Sequence, residues 1–333
     1  MLSTSFWNPT NYTKNPRSAP ESLFSATPSD SLSVPAQGPI TPLRCSSPVC
    51  SQQRNSPNNP LSVSSGSDDS PLLSFWLKDL TLTNQDREAL VNGKWLSDKH
   101  VNAANKLLQS QYPTINGLQD TVVLAAASKY RSGAKNFVQI MNISQSHWIC
   151  ASNILTPPGV VEVYDSMPSY SAHSSALTRQ VATVLQTPQA DFELRHVDVQ
   201  RQVGGSDCGL FAVAFATALC SGIDPFTCSF KQTEMRSHLL TCFESHQLST
   251  FPAPDRPRRL AHCRVLSTKR VPVYCVCRLP WNKYDKKRGP LVKCHSCKLW
   301  FHQFCLNIDN DIIVNKSAQF YCDSCHFDYD IHT

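Results

Sequence analysis

The stretch QVGGSDCGL at residues 202–210 decides how this chain is organised. Its cysteine, Cys208, stands between an aspartate and a glycine, and the apolar run LFAVAFA follows at residues 210–216. This pattern predicts a cysteine in the first turn of a buried helix. The unpaired N–H groups and the positive dipole end of such a helix favour a thiolate over a thiol. The stretch therefore predicts an activated sulfur.

A thiolate nucleophile needs a proton acceptor and a group that orients this acceptor. Two upstream blocks supply candidates: His147, which is followed by Trp148, and the segment VYDS, which contains Asp165. Gln202 precedes the cysteine on a glycine-bearing loop, and its side-chain amide is suited to donate toward an oxyanion. The order of His, Asp, Gln and Cys indicates a catalytic site more strongly than any one of them.

The first 74 residues are not expected to form a domain, although 333 residues allow two or three. Residues 1–74 hold 11 of the 23 prolines and 18 serines without a sustained apolar period, which predicts a disordered Ser/Pro-rich tail. Residues 1–17 lack the basic start and apolar core of a secretory signal, and no window approaches the ~18 apolar residues of a membrane span. We expect a soluble, intracellular protein.

Residues 75–245 combine two kinds of apolar periodicity, and together they predict an α+β domain. Helical spacing predicts helices over residues 85–91, 98–109, 175–186, 208–220 and 232–244. Short apolar runs separated by turn residues predict strands over residues 137–143, 148–155, 160–164 and 192–199.

The segment TPPG at residues 156–159 cannot continue a strand, so the strands on either side of it are predicted to form an antiparallel hairpin. Symmetric pairing sets His147 opposite Asp165 if the turn centres on Thr156, and a few residues out of step if it centres on Pro158. Either register leaves the candidate base and its orienting group toward the open end of one hairpin.

The net charge of +6 is concentrated late in the chain. Residues 251–298 contain 13 Lys or Arg against two Asp, and residues 246–271 are interrupted by prolines, which predicts a basic linker. Such a segment is typical of a weak nucleic-acid contact or a nuclear address, and equally of a solvated spacer. The sequence leaves these alternatives open.

Fifteen cysteines in an intracellular chain indicate metal binding or catalysis rather than disulfides. Eight candidate zinc ligands follow the linker in close pairs: Cys275, Cys277, Cys294, Cys297, His302, Cys305, Cys322 and Cys325. Eight such ligands suffice for two closed, structural Zn²⁺ sites with no open position for catalysis. A module this small has few apolar side chains, so each zinc is expected to contribute ~10–16 kcal/mol of binding energy to folding.

The segments WLSD at 95–98, HW at 147–148, YDS at 164–166 and the stretch at 202–210 resemble, in order and spacing, the ubiquitin-like-protein proteases that remove SUMO and its relatives. The resemblance spans about residues 75–245. It implies a papain-like cysteine protease of the α+β class, in which the catalytic residues occur in a different chain order from papain.

The resemblance also implies a role for each site residue. Cys208 attacks an amide or isopeptide carbonyl, His147 accepts and later returns the proton, and Asp165 holds the imidazole tautomer. Gln202 donates to the developing oxyanion together with the Cys208 backbone N–H. Trp148 roofs a narrow channel that admits a Gly-Gly tail, and no metal or other cofactor takes part in the reaction.

The sequence does not identify the surface that holds the body of a modifier, so SUMO, another ubiquitin-like protein or a polyprotein remains open as the substrate. Two further functions stay open. In the first, the protease fold is an inactive scaffold for the zinc module. In the second, the same Cys-His-Asp site is that of an acyltransferase, because some acetyltransferases share this fold and residue order.

The cysteine-rich module at residues 272–328 resembles a PHD finger, since its histidine is the fifth ligand and Trp300 stands two residues before it. The resemblance implies interleaved pairing, with one ion held by Cys275, Cys277, His302 and Cys305 and the other by Cys294, Cys297, Cys322 and Cys325. It also implies a nuclear protein whose finger contacts a histone tail or another chromatin partner.

Tyr274, Trp281 and Trp300 stand where methyl-lysine readers place the aromatic walls of a cage, and such walls bind a quaternary ammonium by cation–π interaction. The alternative is structural: Trp300 packs the core of the finger and Tyr274 stiffens the first ligand loop. The basic loop at residues 283–288 and Leu291 at the fourth wall are unfavourable for a basic tail.

Overall fold

A computed structural model describes residues 74–126, 135–168, 171, 174–282, 285–315 and 317–330. Apart from Ser74, the predicted Ser/Pro-rich tail lies outside the described residues, and so do Lys283 and Tyr284 of the basic loop. None of the described helices is long and apolar enough to cross a membrane.

The described chain begins with a small strand pair and two helices. The elements are β1 Phe75–Leu77, β2 Leu82–Thr83, α1 Asn84–Val91, α2 Asp98–Gln111, β3 Asn116–Gly117 and α3 Thr121–Ala126. Thr83 and Asp86 form a capping box that fixes the start of α1, with Thr83 N donating to Asp86 Oδ2 at 2.8 Å.

The central sheet and its helices come next along the chain. The elements are β4 Phe137–Ile143, β5 His147–Ser152, β6 Val160–Tyr164, α4 Ser175–Leu185, β7 Asp191–Val197, α5 Cys208–Cys220, α6 Gln232–Glu244 and β8 Val265–Pro272. Six strands pair in the order β3-β4-β5-β6-β7-β8, with β3–β4 and β6–β7 parallel and the other neighbours antiparallel. The predicted α+β class is confirmed.

The β5–β6 hairpin has a register between the two that the sequence allowed. Cys150 pairs with Tyr164 and Ser152 pairs with Glu162, which centres the turn on residue 157. His147 opens β5, and Asp165 directly follows β6. Both side chains therefore lie toward the open end of the hairpin, as predicted.

Helices cover both faces of the sheet, because its central strands are apolar on each side. Every residue of α5 is buried, and this helix shares one apolar cluster with α2 and α6. On the other face, α4 packs against β4–β7 in a second cluster that also contains Val271, Val273 and Leu279. The candidate nucleophile thus begins a helix that is fixed along its whole length.

The segment predicted as a basic linker, residues 246–271, is not a simple linker. Its last seven residues belong to β8, which pairs with all of β7, from Asp191 opposite Pro272 to Val197 opposite Val265. Residues 266–270 are exposed, so the strand lacks the apolar alternation by which a sequence pattern would reveal it. The six-stranded sheet therefore extends beyond residue 245.

The zinc module contains two short strands and two helices. They are β9 Leu291–Lys293, β10 Trp300–His302, α7 Asn310–Val314 and α8 Asp323–Asp330, and β9 pairs with β10 antiparallel. The module contacts the loop between α4 and β7: Val273 N donates to Ala190 O at 2.9 Å, and Arg278 Nε donates to Thr187 O at 2.8 Å.

Candidate functional site

Cys208 is the first residue of α5, with Asp207 at the N-cap. Phe211 N donates to Asp207 O at 3.0 Å, the first turn of the helix. The glycine after the cysteine is needed for packing, because a Cβ at Gly209 would lie 2.9 Å from Leu96 Cβ. The Asp-Cys-Gly sequence therefore fixes the sulfur at a helix N-terminus against the loop before α2, as the sequence predicted.

His147 and Asp165 are joined across the hairpin end. His147 Nε2 lies 2.7 Å from Asp165 Oδ1, and both side chains are buried. Met167 N donates to the same carboxylate oxygen at 2.7 Å, which holds the carboxylate in place. The bond between His147 and Asp165 fixes the imidazole ring, and it leaves Nδ1 of His147 as the nitrogen that can contact a second partner.

That second partner is Cys208. Burial by itself lowers the pKa of His147, but hydrogen bonds to Asp165 and Cys208 and the negative charge of both partners raise it to about 9. The structure thus places the imidazole between the carboxylate and the sulfur, although the three residues are far apart in sequence. The arrangement places a proton acceptor beside the sulfur.

Gln202 lies on the loop before the nucleophile, tied to the end of the hairpin. Gln202 N donates to Ser166 O at 3.2 Å, and Ser166 Oγ donates to Gln202 Oε1 at 2.7 Å. The amide nitrogen donates to Gly204 O at 2.9 Å, so one of its two N–H groups is used within the loop. The other is the donor that an oxyanion would use, and this role stays a prediction.

Trp148 occupies a different environment from a free channel wall. Its side chain is only 5% exposed, and Nε1 donates to Leu96 O at 3.0 Å. Trp95, the neighbour of Leu96, is 55% exposed. The predicted channel role of Trp148 stays a prediction, and Trp95 is the accessible aromatic side chain in this segment.

Two residues of α6 contact the nucleophile loop, and the sequence analysis missed both. Arg236 Nε donates to Asp207 Oδ1 at 3.1 Å, and Gln232 Nε2 donates to Asp207 Oδ2 at 2.6 Å. They lie more than twenty residues after the cysteine in a helix with an ordinary amphipathic pattern, so no local signal marks them.

The zinc ligands form two groups with the interleaved membership that the resemblance implied. In each group the candidate ligand atoms lie within 4.8 Å of one another; the groups are Cys275, Cys277, His302 and Cys305, and Cys294, Cys297, Cys322 and Cys325. Four thiolate ligands about 2.3 Å from a tetrahedral zinc lie about 3.8 Å apart. Cys297 and Cys322 have their sulfurs 3.8 Å apart, so the spacing and the soft donors fit structural Zn²⁺.

The three candidate cage residues have different surroundings. Tyr274 packs against the core cluster of the finger, and Trp300 has Lys293 Nζ 5.5 Å from its ring centroid. Trp281 lines a small cavity with Thr178 and Arg179 of α4. All three are half-buried, and a methyl-lysine cage stays a prediction.

The zinc module belongs to a known class. The family model described as PHD-finger matches residues 275–325, so the predicted PHD finger is confirmed for this segment. Among curated proteins, the lysine-specific demethylase phf2 of Danio rerio is 40% identical over 55 residues, which are 16% of this chain and 5% of that protein. The chromatin remodeling protein SHL of Arabidopsis thaliana is 36% identical over 56 residues, 17% of this chain and 22% of that protein. The chain thus spans less than a quarter of these relatives.

Similar solved structures cover the preceding part of the chain. The C-terminal Ulp1 protease domain, solved in complex with Smt3, the yeast ortholog of SUMO, has 17% identity and a TM-score of 0.39. It covers 50% of this chain and 83% of that chain. The Ulp1-like SUMO protease catalytic domain of Chaetomium thermophilum has 20% identity and a TM-score of 0.37, and covers 55% and 86%.

Proposed function

We propose that this protein is a cysteine peptidase with Cys208 as nucleophile. The observation that carries the proposal is the position of His147, which bonds Asp165 through Nε2 and meets Cys208 with its other side. A nucleophile, a base within reach and a group that orients the base are the three components of a catalytic triad.

The proposed mechanism uses only these side chains. The Cys208 thiolate attacks the carbonyl carbon, and the carbonyl oxygen becomes an oxyanion near the first turn of α5 and Gln202. Protonated His147 then gives its proton to the leaving amine, which leaves an acyl group on the sulfur. Neutral His147 then takes a proton from water while the water oxygen attacks the acyl carbon. The C–S bond breaks, which releases the acid and restores the Cys208 thiolate and protonated His147.

The substrate we propose is the C-terminal tail of a ubiquitin-like modifier of the SUMO type, joined by a peptide or isopeptide bond. Cys208 is only 3% exposed, so access to the sulfur is narrow. Glycine has no side chain, and a Gly-Gly tail therefore needs the least space to reach it. The order of the four motifs at residues 95–98, 147–148, 164–166 and 202–210, which resembles the order in SUMO proteases, supports the same substrate.

Covalent capture tests this function. The full chain is incubated with SUMO and with other ubiquitin-like proteins that carry a C-terminal electrophile, and the adduct is mapped by mass spectrometry. We expect an adduct at Cys208 that is absent in Cys208→Ala and strongly reduced in His147→Ala. Cys263 is an exposed cysteine outside the site and reports non-specific labelling in the same spectra.

Two results would favour the alternatives. Labelling by an acyl-coenzyme A at Cys208, without cleavage of any modifier fusion, would indicate an acyltransferase. Equal labelling of Cys208 and Cys263 would show that the sulfur is not activated, and the fold would then be a scaffold for the finger.

We further propose that the PHD finger directs this activity to chromatin in the nucleus, through a histone tail or a protein partner. The match of residues 275–325 to the PHD-finger family supports this role. A histone-tail peptide array probed with the full chain is the test. Binding that requires a methylated lysine, and that is lost in Trp300→Ala, would support a cage. Binding to unmodified tails only would exclude it.

A further inference from the structure

Asp207 occupies the N-cap of α5 but does not act as a capping side chain. An aspartate at this position usually accepts a hydrogen bond from the N–H groups of the first turn. The Asp207 carboxylate makes no such bond. Its two oxygens are instead held by Arg236 and Gln232, which lie one helical turn apart on α6.

Arg236 holds one oxygen and connects three segments. Its Nη2 lies 2.5 Å from Asp207 Oδ1, and Nη1 donates to the carbonyls of Leu90 at 3.1 Å and Lys94 at 2.9 Å. Nη2 also lies 3.4 Å from Ser206 O. One guanidinium thus ties the nucleophile loop to the last turn of α1 and to the loop that follows it.

That second loop leads back to the catalytic base. Lys94 and Trp95 precede Leu96, whose carbonyl accepts the Trp148 indole N–H and whose side chain packs on Gly209. Trp148 is the neighbour of His147 on β5. Lys94, whose carbonyl Arg236 binds, therefore lies two residues before Leu96, which contacts both the cysteine helix and the histidine strand.

Gln232 binds the second carboxylate oxygen of Asp207 and the backbone of Val203. Its side-chain amide donates to Asp207 Oδ2 and to Val203 O at 2.8 Å, and its Oε1 accepts from Val203 N at 2.9 Å. The start of the loop is bound to Ser166 through Gln202. The loop between the oxyanion amide and the nucleophile is thus fixed on both sides.

We propose that Arg236, assisted by Gln232, is a positioning residue that keeps the Asp207 carboxylate away from the first turn of α5 and neutralises its charge beside the sulfur. This inference rests on the catalytic role proposed for Cys208. A capping carboxylate would occupy the N–H of Gly209 or Leu210 and place its negative charge at the helix N-terminus, where a thiolate at Cys208 would be stabilised. An unpaired carboxylate next to Cys208 would also oppose a second negative charge on the sulfur.

The test is the rate of iodoacetamide alkylation of Cys208 across a pH series, read by mass spectrometry, together with kcat and KM for a modifier substrate. In Arg236→Met we expect the pH midpoint of alkylation to rise by about one pH unit, the size expected for one unpaired charge several ångströms away. We expect kcat to fall about tenfold or more, and KM to change little, because the loss concerns the reacting sulfur.

The double variant Asp207→Asn/Arg236→Met separates charge from scaffolding. It lacks the carboxylate charge, so its alkylation midpoint should return toward the wild-type value. Arg236→Lys keeps the positive charge but not the planar fork, so its midpoint should stay near wild type while kcat is reduced. The other titratable groups that face this region, His147 and Asp165 on the sheet and His100 on α2, are the same in every variant.

Arg258 provides a matched control. It is 19% exposed and paired with Asp198 at 2.9 Å, against 17% for Arg236, and both aspartates are 15% exposed. Arg258 also donates to main-chain carbonyls, of Asp198 at 2.8 Å and Phe226 at 2.6 Å, but it does not contact the nucleophile loop. Arg258→Met should lower stability without moving the alkylation midpoint.

The inference is overturned if Arg236→Met and Arg258→Met have the same alkylation midpoint and the same kcat. It is also overturned if the double variant keeps the shifted midpoint of Arg236→Met. If Arg236→Met does not fold, the other two variants decide. The inference is then overturned if Arg236→Lys has the same kcat as Arg258→Met, or if the midpoint of the double variant is shifted from the wild-type value. Alkylation needs no substrate, so the two proposals can be tested separately. If the chain captures no modifier, the proposed function is wrong. If it captures a modifier but the variants keep the wild-type alkylation midpoint, only this inference is wrong.

Discussion

At the scale of single residues, His147 determines how the site responds to pH. Burial lowers its pKa, but the bonds to Asp165 and Cys208 raise the value to about 9. The imidazolium is therefore the expected form at neutral pH, and in the proposed mechanism it gives its proton to the leaving amine. Above the raised pKa the site loses this general acid.

We therefore expect kcat/KM to fall on the alkaline side with a midpoint near pH 9. In Asp165→Asn the raising carboxylate charge is absent while burial still lowers the pKa, so the alkaline midpoint should move to lower pH. The measurement is a pH–rate profile of modifier cleavage for both proteins. An alkaline midpoint that is the same in the two proteins would contradict the assignment of this limb to His147.

The residues that the sequence could identify are those with a chemical signature of their own. Cys208, His147 and Asp165 stand in short motifs with a reaction logic, and the zinc ligands stand in close pairs. Arg236 has no such signature, because its partners are mostly main-chain carbonyls of segments distant in sequence. Main-chain partners leave no residue pattern from which a sequence argument can start.

At the scale of elements, β8 shows where pattern reasoning reaches its limit. The helices α1, α2, α4, α5 and α6 and the strands β4–β7 can be predicted because burial imposes a period on them. The residues Leu266 to Arg270 are exposed and largely polar or basic, so they read as a solvated linker. The strand exists because its backbone pairs with β7, and the apolar anchor Val271 lies near its end.

A buried ion pair next to β8 tests whether this segment belongs to the catalytic fold. Arg264 bonds Glu162 of β6 through both terminal nitrogens, with Nη2 at 2.8 Å from Oε2, and Glu162 is almost fully buried. Arg264→Met would leave that carboxylate buried without its cationic partner. We expect a loss of about 3–5 kcal/mol in the free energy of unfolding.

The control is Arg270→Met, which removes an exposed arginine 3.7 Å from Asp191 on the same strand pair. An exposed pair contributes about 0–1 kcal/mol, so this variant should unfold close to wild type. Urea titration followed by the fluorescence of the tryptophans measures both. Equal, small effects in the two variants would mean that residues 264–272 act as a linker after all.

At the scale of the whole described chain, the PHD finger packs against the part of the chain that forms the six-stranded sheet. Arg278 is 6% exposed and donates to carbonyls of Thr187 and Gln189 in the loop before β7. Leu279 belongs to the same apolar cluster as α4. Arg179 of α4 lies 3.2 Å from Asp285 of the finger. The finger is thus packed on the catalytic part rather than only tethered to it.

Removal of zinc should therefore affect the catalytic part. We expect a chelator to unfold the finger and to increase amide hydrogen exchange in the loop at residues 186–190, because the finger supplies the partners of its carbonyls. Hydrogen exchange with mass spectrometry measures both regions at once. In Arg278→Met the loop should already exchange faster before chelation, and the chelator should add less. A loss of protection confined to residues 275–325 would contradict this coupling.

The position of β8 limits where this PHD finger can be replaced by the finger of another protein. Recombination that replaced this finger at the apparent end of the catalytic motifs would also remove an edge strand, the Arg264 contact and the apolar anchor Val271. A chimera that keeps this packing has to retain residues 246–273, together with Arg278 and Leu279, with the half of the chain that contains Cys208. The part of the chain that folds as one unit with the sheet is therefore longer than the motifs suggest, and it ends within the first residues of the finger.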